Sequence, residues 1–360
     1  MRIGLIGRLR RFGLPKRRSG LAASVFSLAV GWGLAADANA HCAGVNLMDQ
    51  LPPAELAQIR AAADAAPYAK GLVWRATKAA PLGSAASKEQ SAIIIGTYHL
   101  DDPRHAALLA RIAPVLDQAA SLLVEAGPKE ESRLQSELAS RPDLMFDLDG
   151  PTLPELLDPA DWERLTVALE ARGIPPIFGA KFKPWYAAIV ISMSPCAMQA
   201  IAEGAEGLDK QIMHAAQLRN LPIRALESYD TAFHLFEDLP EAEQRDLVVG
   251  ALAVEGKNDD MTTTLADAYF KGETRLIWEF SDWLARQDTT LPPEVIERQL
   301  ALSEDQLMVQ RNHAWVPVIE AAAATAAGKP VVMAAGALHL AGEDGVLNLL
   351  AQRGWTISPY

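Results

Sequence analysis

The sequence predicts an α/β domain, and three observations carry that prediction. Short apolar runs bounded by Gly or Pro recur along the chain, longer segments of helical period separate them, and 50% of the 360 residues are hydrophobic. Alternation of this kind is what a sheet covered by helices requires, and the length suffices for a sizeable core.

The first element is not part of that fold. Arg2, Arg8, Arg10, Arg11, Lys16, Arg17 and Arg18 form a basic stretch that runs into the apolar segment 20–36. A basic region followed by a short apolar one is the pattern of an export leader, and the apolar part is shorter than the roughly 20 residues a membrane span needs. Ala38-Asn39-Ala40 places small residues where a signal peptidase acts. The expectation is therefore a signal peptide over 1–40, cleavage after Ala40, a periplasmic or secreted mature domain over 41–360, and no stable membrane span once the leader is gone. The arginine pairs leave both general and twin-arginine export open. Removing the leader takes away seven basic residues and one acidic one, moving the net charge from −12 to about −18. So acidic a surface repels nucleic acid and anionic lipid and leaves a peptide or small molecule as the expected partner. Cys42 and Cys196 are the only cysteines in the chain, and an oxidising compartment predicts that they pair.

Strands are predicted over 72–76, 92–96, 121–125, 222–227 and 330–335. Asp158-Pro159 opens a helix that Gly173 closes, by capping residue, first-turn proline and terminal glycine. Lys183-Pro184 opens a second, 185–193, apolar nearly all round and too short to span a bilayer, hence a buried helix. Residues 209–220 form a third. The acidic stretch 228–286 is helical and carries Phe233, Phe236, Tyr269, Phe270, Trp278, Phe280 and Trp283 at roughly helical spacing, a stripe suited to a core and to a cap over the sheet. A last helix, 303–326, feeds the strand at 330.

Several chemistries are disfavoured by absence. The chain has no Gly-x-Ser-x-Gly, no His-Glu-x-x-His and no Cys-x-x-Cys, and Gly328-Lys329 is followed by Pro330 where a phosphate loop needs Ser or Thr. One pattern occurs twice instead: an apolar strand, then Gly96-Thr97-Tyr98-His99 and again Gly336-Ala337-Leu338-His339. A glycine past a strand permits a sharp turn, and a histidine three residues on points into the crevice beyond the strand's carboxyl end, where open α/β sheets hold ligands. Two further strands end in carboxylates, Glu125 and Glu227. Two imidazoles with one or two carboxylates make a ligand set for a divalent ion, and a nearby guanidinium, Arg311, suits a developing oxyanion.

With Gly207-Leu208-Asp209, Arg311-Asn312 and Trp315, these motifs resemble, in order and spacing over nearly the whole mature chain, the TraB/GumN family, whose wider group includes the Tiki proteins, described as metal-dependent proteases. The resemblance implies a central mixed β-sheet with flanking helices and a helical cap, similar to the erythromycin-esterase and ChaN-type folds. It implies functional roles for His99, His339, Glu125 and Arg311, and less firmly for Asp209 and Glu227. The expected function is hydrolysis of a peptide or related bond by a metal-activated water. His99, His339 and Glu125 would hold manganese, cobalt or zinc, Glu125 or Glu227 would take the proton, and Arg311 would face the oxyanion. The alternative is a periplasmic haem-, metal- or peptide-binding protein without turnover.

Overall fold

The computed structural model describes residues 44–79, 89–237, 239–287 and 291–360. The chain divides into two units, Met1–Ala40 and His41–Tyr360, and all the described residues belong to the second. The leader and Cys42 lie outside them.

Six strands form one mixed sheet: β1 (Val73–Lys78), β2 (Gln90–Thr97), β3 (Leu122–Val124), β4 (Ile223–Ala225), β5 (Val331–Gly336) and β6 (Thr356–Pro359), in the order β4-β3-β5-β2-β1-β6. The pairs β4–β3, β3–β5 and β5–β2 are parallel, whereas β1 runs antiparallel to both β2 and β6. The carboxyl ends of the four parallel strands, β4, β3, β5 and β2, therefore lie on one side of the sheet. All five predicted strands are present, and β6 is an addition the sequence reading missed.

Parallel strands covered on both faces read as unbroken apolar runs, because both sets of alternating side chains are buried. Ile93 and Ile95 of β2 and Val332 and Ala334 of β5 enter one core, with Ile112, Ile212 and Phe280 from helices His105–Gln118, Leu208–Leu218 and Thr274–Gln287. Ile94, Met333 and Ala335 enter the other, against Trp315, Val316 and Ile319 of helix Gln310–Thr325 and Leu347 of helix Val346–Gln352.

A third cluster lies away from the sheet. Helix Pro184–Ser192 buries Ala187, Ala188, Val190 and Ile191 against Leu165 and Leu169 of Pro159–Ala171 and Val248 and Leu252 of Glu241–Val254. The all-round apolar helix is thus a core helix, as its length implied. Among the described residues no single helix is long and apolar enough to cross a membrane; Pro184–Ser192 and Pro195–Ala202 reach that composition only together, with a 90° bend between them. The aromatic stripe is largely core: Tyr269 and Phe280 are fully buried, and Phe236 stacks on Trp185 at 6.1 Å. The last helix begins earlier than predicted, at Pro293, and passes through a π-turn at Asp305–Val309 before Gln310–Thr325.

Candidate active site

Each candidate residue follows the carboxyl end of a parallel strand, so strand order becomes site order. Glu227 comes just after β4, Glu125 after β3, His339 after β5 and His99 after β2, on four adjacent strands. Register aligns them: Thr97 lies opposite Gly336, and Val124 opposite both Ala334 and Ala225.

The two glycines serve a purpose other than the expected one. Neither Gly96 nor Gly336 has a positive φ, so a sharp left-handed turn is not what requires them. Space is. A Cβ on Gly96 would lie 3.0 Å from the Cα of Ala337, in the turn that follows β5. A Cβ on Gly336 would stand 3.3 Å from His99 Nε2, 3.4 Å from Glu125 Oε1 and 3.5 Å from His339 Cδ2. Three predicted site residues thus face one small volume above Gly336.

His99 is clasped from outside the sheet. The amide of Leu208 donates to Tyr98 O at 2.9 Å, and Gly207 packs so closely on the His99 carbonyl that a Cβ would come within 2.2 Å of its oxygen. This docks the first turn of helix Leu208–Leu218 on the histidine, and His99 Nδ1 donates to Asp209 Oδ1 at 3.2 Å. That bond, with Glu125 adding, raises the His99 pKa. The side chain is 62% exposed, with Nε2 turned toward Gly336.

His339 is its opposite in environment. It is 3% exposed and packs on Trp315 with ring centroids 4.3 Å apart. Burial pushes its pKa down to about 4, with Arg311 adding, so the ring is neutral at physiological pH. Its tautomer is fixed. Asn312 Nδ2 donates to Asp344 O at 2.9 Å, which turns the amide oxygen to His339 Nδ1 at 2.7 Å, and Nε2 is left with its lone pair.

Arg311 binds the two carboxylates together. Its Nε and Nη2 reach Glu227 Oε2 and Oε1 at 3.0 and 2.8 Å, and Nη2 also reaches Glu125 Oε2 at 2.6 Å. Burial opposes its charge, but Glu227 and Glu125 outweigh that and raise its pKa. Nη1 donates to Leu307 O at 3.2 Å and lies 3.4 Å from His339 Nε2. Glu227 accepts a further bond from Trp315 Nε1 at 2.9 Å. Glu125 Oε1 accepts from the Gly336 amide at 2.7 Å. Burial works to raise the Glu125 pKa, but His339, His99 and Arg311 outweigh it and hold it at about 2.

The sequence profile of the TraB/PrgY/gumN family matches residues 72–359, from the residue before β1 to the end of β6. The chain belongs to this family. The match therefore takes in all six strands and every residue of the cluster described above. A comparison with curated proteins gave no match.

The two histidines of this TraB/PrgY/gumN chain fit a divalent ion. Each has Nδ1 engaged by an oxygen acceptor, as the outer nitrogen of a metal-bound imidazole usually is, and each keeps Nε2 on the site side. Glu125 fits as a neighbour more than as a full ligand, since each of its oxygens already accepts an N–H. Among the described residues no group of three or more His, Cys, Asp or Glu is gathered closely enough to hold one ion. The structure brings His99, His339, Glu125, Glu227 and Arg311, the residues singled out in the sequence, together. Sequence reasoning assigned no partner to Asp209, Asn312 or Trp315, whose roles depend on contacts across the fold.

Proposed function

We propose that the mature chain is an exported metal-dependent hydrolase acting on peptide or related bonds, with His99 and His339 presenting Nε2 to one manganese, cobalt or zinc ion. The observation that supports this most is the convergence of His99, Glu125 and His339 on the space above Gly336. Such an ion, when bound, supplies a Lewis acid that brings a water's pKa toward neutrality, which a carboxylate as weakly basic as Glu125 needs of its partner.

The remaining roles belong to the chain. Asp209 and Asn312 hold the two imidazoles in the tautomer that leaves Nε2 without a proton, the one on His339 facing Arg311 Nη1. Glu125, ionised at physiological pH, accepts the hydrogen bond of the attacking water and then its proton. Arg311 offers the developing oxyanion the Nη1 N–H that faces His339. Glu227 holds Arg311 in place through two of its donors.

The test is metal analysis of the purified mature protein joined to a peptide-library cleavage assay. Cleavage that a chelator abolishes and Mn, Co or Zn restores is the expected result. Cleavage unaffected by chelation removes the metal from the mechanism; stoichiometric metal or haem binding without cleavage leaves the chain a binding protein.

A further inference from the structure

A cavity of about 330 Å³ adjoins the site, with Asn312, the partner of His339, in its wall. Two of its features select a ligand. The first is charge. Among the described residues, Glu279, Glu304, Glu343 and Asp344 line it against a single cation, Arg275. That guanidinium is already engaged by Glu279 at 2.7 Å, with Glu304 at 3.9 Å. Asp344 takes a bond from His313 and Glu343 from Asn348, but neither partner is part of the wall. A concave surface carrying such an excess focuses a negative potential inward.

The second feature is an apolar wall. Trp278, whose ring centroid lies 5.9 Å from the Arg275 guanidinium carbon, lines the same space with Ala62, Ala65 and Ala66. They offer a hydrated metal ion nothing to coordinate, but they match an alkyl chain, and an indole face attracts a cation.

The walls are also fixed in place. Gly342 takes φ +102°, and a Cβ there would lie 3.1 Å from Arg275 Nη1. Only glycine lets the turn lie so close to the guanidinium at that φ. The Gly342 amide donates to Pro67 O at 2.9 Å and the Arg275 amide to Ala69 O at 3.1 Å, so three separate segments are tied at the rim.

We propose that this cavity binds an organic cation, an ammonium or guanidinium group on a flexible apolar stem, with its charge against Glu304, Glu343 and Asp344 and its stem along Trp278. The group belongs either to a free amine or to the side chain of a basic peptide; the second case rests on the hydrolase reading above.

Calorimetric titration of the mature protein with butylamine and butylguanidine, and with butanol as the uncharged control, tests the site without requiring turnover. Saturable binding of both cations, none of butanol, and a loss of roughly tenfold in affinity for Glu304→Gln is the expected result. Should that variant fail to fold, Glu343→Gln, at an exposed position, serves in its place. Absence of saturable cation binding, or equal affinity in the variants, overturns the proposal. Tighter binding of N-acetyl-lysine amide than of butylamine assigns the site to a peptide side chain, and equal binding assigns it to a free amine; both outcomes uphold the cation site. Because binding is read directly, a chain that binds these probes but cleaves nothing refutes the hydrolase reading alone.

Discussion

Arg311 is the residue on which the site's electrostatics turn, because two carboxylates at 16% and 20% exposure depend on it. Arg311→Ala leaves Glu125 and Glu227 facing each other with no cation between them, and breaking a buried ion pair from one side costs about 3 to 5 kcal/mol. Urea denaturation should show that loss, and adding Glu227→Gln should recover part of it; equal stability of the wild type and Arg311→Ala would mean the carboxylates find other partners. The two histidines are expected to differ. His99→Ala removes an exposed ring and should leave stability within about 1 kcal/mol, whereas His339→Ala empties a buried place beside Trp315 and should cost about 2 kcal/mol or more. Both should lose metal, measured by equilibrium dialysis. The sequence pattern sets both rings on a cleft and gives no sign that Trp315 covers one of them. At this scale the sequence shows residues that end strands, where a local pattern marks them. It does not show that Asn312 is turned by Asp344 to orient His339, because that bond joins segments 27 residues apart.

At the scale of elements, Glu320 shows how the antiparallel side of the sheet is secured. Standing on helix Gln310–Thr325, it accepts from Lys78 at the end of β1 at 3.0 Å, from Arg353 at 2.7 Å and from Trp355 just before β6 at 3.1 Å. Burial tends to raise its pKa, but Arg353, Trp355 and Lys78 outweigh it and bring it from 4.5 down to about 2. A carboxylate with a depressed folded pKa adds stability that is complete above the unfolded value and disappears as pH falls through the folded one. Glu320→Gln should therefore lower Tm at pH 7, by the equivalent of roughly 2 to 3 kcal/mol. The gap from wild type should close between about pH 4.5 and pH 2; a gap constant with pH would show that the charge contributes nothing. The same corner explains the missed strand. β6 is four residues long and ends in Pro359, and its pairing is specified by β1 beside it, not by an alternation of its own. The central strands were legible for the opposite reason: burial on both faces leaves an apolar run that no other short element needs.

For the whole molecule, two expectations concern residues outside those described. The exported protein should begin at His41, and its intact mass under non-reducing conditions should be lower by two hydrogens than after reduction if Cys42 and Cys196 pair. Closing so long a loop stabilises by about 4 to 5 kcal/mol on the chain-entropy view, so a reductant should lower Tm; an unchanged mass on reduction would exclude the bridge. Architecture at this scale was readable from alternation, but strand order was not, since nothing local says that the fifth strand lies between the second and third. That order has a consequence in time. β5 is the fourth strand along the chain to join the parallel set, yet it lies in the middle of the sheet and brings the second histidine. In a growing or threading polypeptide shorter than about 336 residues, β2, paired with β1, and β3, paired with β4, each leave one edge open where β5 belongs, and open edges are prone to associate with other chains. Such a chain has neither a continuous sheet nor both histidines. Structural completion and the meeting of the two histidines thus arrive together, in the last thirty residues of the chain, 331–360.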